Sequence, residues 1–160
     1  MSGEADHQKY PGVPFAYEFV LPSYEAMFAR VEAATSRIDS IVTLSTTLTL
    51  AAPALVASVT GAPLTSRWLY AALVVFMLLL VLAIGMRTRS VITIVSPAVL
   101  YETWLHLDEF EFKRRAVYWA GEHFEKNSRT VYRKWIVAQI VGVLFAAEAV
   151  LLAIWAITAT

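Results

Sequence analysis

The sequence predicts an all-α integral membrane protein with three transmembrane helices, an N-terminal amphipathic helix and a cytoplasmic helical region between spans two and three. Two observations predict this fold class. Of the 160 residues, 58% are hydrophobic and only 16% are charged, whereas a soluble domain carries about 25% charged residues. The uncharged residues are concentrated in three runs, at about 41–60, 68–86 and 136–157. Each run is long enough to cross about 30 Å of hydrocarbon as a helix.

The N-terminal residues 1–22 are expected to form a flexible lead-in, because they include Pro11, Gly12, Pro14 and Pro22. Ser23 is placed to cap the helix that follows. Apolar residues then recur at helical spacing while charged residues take the other face, which predicts an amphipathic helix over about 23–40. Nothing breaks this helix before the first span. Residues 23–160 are therefore expected to form a single helical membrane domain.

The three spans differ in composition. The first, "IVTLSTTLTLAAPALVASVT", holds seven Ser or Thr residues, so its margin for inserting alone is thin and it is expected to pack against protein neighbours. The second, "WLYAALVVFMLLLVLAIGM", is rich in leucine and is expected to face lipid. The third follows Trp135, an interface residue. It carries a stripe of small residues that permits close helix packing: Ala138, Gly142, Ala146, Ala149 and Ala153.

The region between the second and third spans is expected to form cytoplasmic helices over about 98–134. Asp108 with Glu111 three residues later resembles a capping box, so a helix is expected to begin near Glu109. An apolar stripe repeats along it every seven residues, at Phe110, Val117, Phe124 and Val131. Such a stripe is a packing seam, and we expect it to contact the amphipathic helix 23–40.

The basic residues predict how the chain is oriented. If it crosses the membrane three times, 12 of the 13 Lys and Arg residues fall on one side and only Arg67 falls opposite. Basic residues favour the cytoplasmic side. The N-terminus and region 87–135 are therefore expected in the cytoplasm and Thr160 outside, with the protein in the bacterial inner (plasma) membrane. The net charge is zero, so composition gives no reason to expect a nucleic-acid partner.

One acidic residue, Glu148, lies near the midpoint of the third span, where burying it costs roughly 2.5–3.5 kcal/mol. No span contains Lys, Arg or His, so the carboxyl group is expected in its protonated form, beside hydroxyl groups of the first span. Those hydroxyl groups belong to Thr43, Ser45, Thr46, Thr47, Thr49 and Ser58. The expected intramembrane polar site consists of Glu148, Thr43, Thr46, Thr47 and Gln139. It could fix helix pairing, line a polar path in an oligomer, or serve a small transporter as its proton site.

The basic run Lys113, Arg114 and Arg115 is a candidate contact for a phosphate-bearing ligand. The alternative is that these residues follow the inside-positive bias and meet lipid headgroups. The sequence contains no cysteine, phosphate loop or Ser/His/Asp set. Neither catalysis nor a cofactor is expected.

A metal site is not expected either. Glu102, His106 and Glu109 have the spacing of metal ligands on one unbroken helix. The helix start at Asp108 interrupts that face, so the three side chains should not converge.

The layout resembles the membrane effector proteins of bacterial Pycsar anti-phage defence. The resemblance covers residues 23–158 and is mostly topological. It rests on "RIDSIVTLS" (37–45), "TIVSPAVLY" (93–101), "DEFEF" (108–112) and "KNSRTVYRKWIVAQIVGVLF" (126–145). It implies an effector that a cyclic pyrimidine mononucleotide triggers and that impairs the inner membrane during phage infection.

Three functions remain open from the residues alone. The first is an oligomeric effector. Its cytoplasmic helices receive a signal, and its first span and Glu148 line the polar path that opens across the membrane. The second is a structural or accessory subunit without activity of its own. The third is a small proton-coupled transporter that uses Glu148. All three place the protein in the lipid bilayer, and the first makes it a homo-oligomer.

Overall fold

The computed structural model of the protein describes residues 9–61, 65–89, 92–93 and 95–158. Helices hold nearly all of these residues, and no strand occurs among them. In chain order they are α1 (Val13–Thr60), α2 (Arg67–Arg89), the short α3 (Pro97–Val99), one turn of π-helix (Leu100–Trp104) and α4 (Glu109–Thr158). Three of them, α1, α2 and α4, are long and apolar enough to cross a membrane. This confirms the predicted all-α class with three helices that are able to span a membrane.

Helix α1 begins at Val13, within the stretch 1–22 that the sequence marks as a flexible lead-in. Proline is tolerated in the first turn of a helix, where its missing N–H would have no partner, and Pro14 occupies that turn. Ser23 is not a cap, because it lies inside α1 and its hydroxyl donates to the carbonyl four residues earlier at 2.8 Å. Residues 1–8 lie outside the described residues.

Helix α1 ends at Thr60 because Gly61 adopts a left-handed backbone conformation with φ of +64°. Glycine enters this conformation without steric cost, and it commonly terminates helices in this way. Residues 62–64, between the first two predicted spans, lie outside the described residues. Helix α2 begins at Arg67.

Helix α4 begins at Glu109, as the sequence predicts. Asp108 caps it, since the Asp108 carboxylate accepts the backbone N–H of Glu111 at 2.8 Å. A membrane crossing needs about 20 residues, whereas α1 has 48 and α4 has 50. Each of these two helices therefore continues well beyond one crossing.

One face of α4 is buried at alternating spacings of three and four residues, which is the heptad pattern of a helix-packing seam. Buried or half-buried positions on this face are Val117, Ala120, Asn127, Val131, Lys134, Ala138, Val141, Phe145, Glu148, Leu152 and Trp155. The apolar stripe predicted from Phe110 to Val131 belongs to this face, although Phe124 is 46% exposed. Glu148 is buried because it falls in phase with the seam.

The chain divides into two compact units. The connector unit comprises residues 1–30 and 91–132, and the span unit comprises residues 31–90 and 133–160. The sequence interpretation treats 23–160 as one domain and does not separate them. In the connector unit, the rings of Tyr24 and Phe124 lie 6.5 Å apart, so this part of α1 contacts the predicted seam.

The core of the span unit is a cluster of four buried residues, two from α2 and two from α4: Leu69, Ala72, Leu152 and Trp155. Large apolar side chains cover the outside of the same unit, including Leu50, Leu55, Val74, Met77, Val81, Val143 and Val150. A soluble monomer rarely exposes so much contiguous apolar surface. A lipid bilayer is the solvent that suits it.

Candidate functional site

The candidate site of the span unit is the carboxyl group of Glu148, which is completely buried. The hydroxyl of Ser45 donates a hydrogen bond to its Oε2 atom, and the hydroxyl of Thr49 donates one to its Oε1 atom. Ser45 is also fully buried, and Thr49 nearly so. Both oxygens of the carboxyl group therefore have a partner on α1, the helix that carries the first predicted span.

The two hydroxyl groups meet Glu148 because Ser45 and Thr49 are four residues apart on one face of α1. Residues four apart lie one above the other on adjacent turns of a helix. Ala34 and Ile38 are buried on the same face. The pattern of burial on α1 thus selects these two hydroxyl groups from the seven Ser and Thr residues of the first span.

Small residues let α1 approach α4 near the site. Ala138 on α4 is fully buried. Gly142 lies one turn further along, and a Cβ atom there would be 3.8 Å from the Cδ1 atom of Ile41. Small residues at such positions allow helices in membranes to pack closely. Of the predicted small-residue stripe, Ala146 and Ala153 are exposed, so only part of it serves this contact.

The remaining residues of the predicted polar site do not join Glu148. The hydroxyls of Thr43, Thr46 and Thr47 donate instead to backbone carbonyls of α1 four residues earlier, at 2.8–2.9 Å. Gln139 is exposed on α4. The predicted set followed composition, whereas the observed partners of Glu148 follow helix phase. The phase set by Met27, Ala34 and Ile38 would have identified Ser45.

Pro53 weakens α1 beside the site. Proline has no N–H, so it cannot donate to the carbonyl four residues earlier in a helix. In α1 that carbonyl belongs to Thr49, whose side chain holds Glu148. The helix therefore lacks one regular backbone hydrogen bond at the residue that carries the interhelical one.

The connector unit contains a separate groove of about 710 Å³ beside Arg114 and Arg115. Aromatic residues from three segments of the chain supply much of its wall: Tyr10, Trp104, Tyr118 and Trp119. Arg114 forms an ion pair with Glu111 at 3.0 Å, and its guanidinium group lies 5.8 Å from the centre of the Tyr10 ring. Arg115 is exposed at the groove. Such a groove combines stacking surfaces with cationic groups.

Lys113 does not belong to this groove, so the predicted basic run does not act as one cluster. Its ammonium group forms an ion pair with Glu109 at 2.5 Å. This hydrogen bond raises the pKa of Lys113 and lowers the pKa of Glu109. Lys113 also lies 5.8 Å from the centre of the Tyr17 ring.

A polar network in the connector unit was missed from the sequence. Asn127 is 1% exposed. Its amide nitrogen donates to the carbonyl of Thr93 at 3.0 Å, and its amide oxygen accepts the N–H of Thr93 at 3.0 Å. One side chain thus satisfies both backbone groups of a residue in a non-helical segment. The sequence signal that could have indicated this contact is a single Asn at a heptad position that is otherwise apolar.

Tyr24 lies beside this network. Its hydroxyl donates to the backbone carbonyl of Ala120 at 2.8 Å. Burial raises the pKa of Tyr24, and a hydrogen bond with Asn127 opposes that shift. The ring of Trp119 lies 6.3 Å away and is itself stacked on His123 at 4.4 Å.

The described residues contain no group of three His, Asp or Glu side chains placed to hold a metal ion. Glu102 lies in the π-helical turn and Glu109 opens α4, so the helix that would align them with His106 is interrupted. Comparisons with protein-family models, with curated proteins and with solved structures find no match for this chain.

Proposed function

We propose that the protein is a small inner-membrane effector of a nucleotide-signalled anti-phage defence system, which oligomerises and impairs membrane integrity. The observation that carries this proposal is the fully buried carboxyl group of Glu148, held by two hydroxyl groups of α1. The proposal places the N-terminus and the connector region in the cytoplasm and the C-terminus outside, in keeping with the distribution of basic residues.

The free energies favour a functional role for Glu148. An acidic residue near the centre of a span costs roughly 2.5–3.5 kcal/mol, and interhelical hydrogen bonds in membranes contribute about 0.6 kcal/mol each. The two bonds from Ser45 and Thr49 therefore recover only part of the cost. An apolar residue would pair the helices at a smaller cost in free energy, and an intramembrane carboxyl group is a functional candidate by default.

In this proposal the contact between Glu148 and α1 is the closed state. Separating the two helices would expose one carboxyl and two hydroxyl groups at the depth of Glu148. Those groups attract water, and a ring of such groups from several copies forms a hydrated path. Pro53 supports this movement, because the missing backbone hydrogen bond makes α1 easier to bend there.

The groove at Arg114 and Arg115 supports a nucleotide signal. Its volume of about 710 Å³ lies within the range of about 300–1,000 Å³ that is usual for small-ligand sites. A cyclic pyrimidine mononucleotide offers a planar base that stacks on aromatic rings and a phosphodiester that pairs with a guanidinium group. The groove thus has the two kinds of group that this ligand class requires.

Inducible expression in a bacterium loaded with a membrane-potential dye tests the proposal. Wild type is expected to collapse the potential when a cyclic pyrimidine mononucleotide is supplied, and Glu148→Leu is expected to prevent this. Arg115→Ala should raise the nucleotide concentration that is needed to collapse the potential, and it leaves the hydrogen bonds of Glu148 in place. Val143→Leu, on the exposed face of α4, is the matched control. An unchanged potential with every cyclic nucleotide offered would contradict the proposal.

The complete hydrogen bonding of Glu148 also favours a second candidate, an accessory membrane subunit in which the carboxyl group only pairs helices. Such a subunit would leave the membrane potential unchanged in wild type and in every Glu148 variant. A proton-coupled transporter, the third alternative, would lose all transport in Glu148→Gln. A pairing role would largely survive that change, because the amide oxygen still accepts a hydrogen bond.

A further inference from the structure

The outward face of α1 is polar from the cytoplasmic end into the first predicted span. Its exposed side chains are Glu32, Ser36, Asp39, Ser40, Thr43 and Thr47. We name these residues the acidic face. It is unusual for a helix entering a membrane, because a single chain in lipid would present apolar residues at the depth of Thr43 and Thr47.

The acidic face points away from the site of Glu148. Thr43 and Thr47 each precede a residue that binds Glu148 by two positions, which is about 200° around the helix. Their hydroxyl groups are bonded to carbonyls of α1 itself. Among the described residues, the carboxylates of Glu32 and Asp39 have no ion pair or hydrogen bond. The face therefore carries two unneutralised negative charges next to the membrane.

A cationic side chain, that of Arg133, lies level with the acidic face in the span unit. The ammonium group of Lys134 donates to the hydroxyl of Thr35 at 3.4 Å, and Arg37 lies 5.8 Å from the centre of the Trp135 ring. These contacts put residues 133–135 level with residues 35–37. Arg133 is exposed on α4 at this level, and no ion pair involves it in the described part of the chain.

We propose that the acidic face of one copy docks against the exposed Arg133 side of a second copy. The proposal rests on the self-association proposed above and names the surfaces that form it. Two acidic faces repel each other, so the contact cannot be the same patch on both copies. It joins two different patches, and contacts of this kind close into a ring when the rotation permits. Thr43 and Thr47 of every copy then lie at the interface between neighbouring copies within the membrane.

Disulfide cross-linking tests the proposal directly, because the chain contains no cysteine. A tagged Asp39→Cys chain and a differently tagged Arg133→Cys chain are co-expressed, and their membranes are oxidised. The expected product is a dimer that carries both tags. Each variant expressed alone should stay uncross-linked. Val74→Cys, exposed on α2, replaces Asp39→Cys in the control pair and should give no product.

The outcomes separate this inference from the proposed function. A dimer from Asp39→Cys alone would show that the acidic face meets itself and would overturn the inference. Absence of the mixed dimer, while wild type still runs as an oligomer in mild detergent, would overturn the inference and leave self-association standing. A monomeric wild type in membranes and in detergent would overturn both.

Charge reversal provides the second measurement. Asp39→Arg and Arg133→Asp should each weaken association by about tenfold, since each places like charges across the contact. The double variant restores opposite charges and should recover most of the association. A double variant that associates no better than either single variant would overturn the inference, because a purely structural effect of each change would not be rescued by the other.

Discussion

The two units of the chain bury polar groups in different ways. In the span unit, Glu148 is bonded by the side chains of Ser45 and Thr49 from another helix. In the connector unit, Asn127 is bonded by the backbone N–H and carbonyl of Thr93. Both side chains lie on the same heptad seam of α4 and both are almost completely buried. They differ in what happens to the partner if the side chain is removed.

The hydroxyls of Ser45 and Thr49 have an alternative acceptor, because a Ser or Thr in a helix can bond the carbonyl four residues earlier. Thr43, Thr46 and Thr47 already do so. The N–H and carbonyl of Thr93 belong to a non-helical segment and have no such alternative. We therefore expect the replacement of Asn127 to destabilise the fold more than the replacement of Glu148. This difference is why Glu148 is the stronger functional candidate.

The largest expected effect is that of Asn127→Leu. It leaves the N–H and the carbonyl of the half-buried Thr93 without their partner. A fully buried unpaired group costs about 1–3 kcal/mol, and the partial exposure of Thr93 keeps the total at about 2–4 kcal/mol. Hydrogen exchange should become faster at Ile92 and Thr93. Ser128→Leu, at the neighbouring exposed position, should change exchange there little. Equal effects of the two variants would contradict the role assigned to Asn127.

A smaller effect is expected in the span unit. Ser45→Ala combined with Thr49→Ala leaves the carboxyl group of Glu148 buried without donors and should cost about 1–2 kcal/mol in SDS unfolding from micelles. Adding Glu148→Leu should restore stability to within about 0.5 kcal/mol, since no polar group then remains unpaired. If the triple variant is less stable than the double variant, the packing of Glu148 matters more than its hydrogen bonds.

Tyr24 links stability to pH in the connector unit. Because its pKa is raised above the ordinary value of 10.0 in the folded chain, its contribution is complete below pH 10.0 and is lost as the pH rises through the folded-state pKa. Tyr24→Phe should cost about 1 kcal/mol at neutral pH through the lost hydrogen bond. The measurement is the free energy of unfolding, followed by circular dichroism as a function of pH. Above pH 10 it should fall less in the variant than in wild type. Parallel pH profiles would contradict the assignment.

The smallest effect is expected for the exposed ion pair of Arg129 and Glu125, whose atoms are 2.5 Å apart. Exposed pairs at this helix spacing contribute only about 0.3–0.5 kcal/mol. Glu125→Gln should therefore lower the melting temperature by little, and 0.5 M salt should remove the difference. A loss as large as that of Tyr24→Phe would mean that this pair stabilises more than solvent screening allows.

The sequence predicts the helices well because their signals are long. The three apolar runs and the heptad spacing of α4 each extend over many residues. The cap at Asp108 follows a known sequence pattern, in which an acidic residue lies three positions after the capping residue. The direction in which Glu148 faces was also predictable, since α1 supplies most of the hydroxyl groups of the spans. The extent of α1 was not, because prolines between residues 11 and 22 suggest a break. Pro14 lies in the first turn, where proline is tolerated, and α1 continues through Pro22.

The choice of donors could not follow from composition. Seven Ser and Thr residues lie within 20 positions of the first span, and only the rotation of α1 decides which of them reach Glu148. The groove at Arg115 could not be predicted either, because Tyr10 lies about a hundred residues before the other aromatic residues of its wall. The Asn127 contact depends on a non-helical segment whose path no periodic pattern specifies.

The spacing of the two donors has a mechanical consequence. Ser45 and Thr49 are one turn apart, so sliding α1 lengthwise by about 6 Å would carry one hydroxyl group into the place of the other. In the shifted position the carboxyl group would have one hydroxyl partner instead of two. Helix pairing at Glu148 thus has two registers one helical turn apart, and the carboxyl group has a hydroxyl partner in each of them.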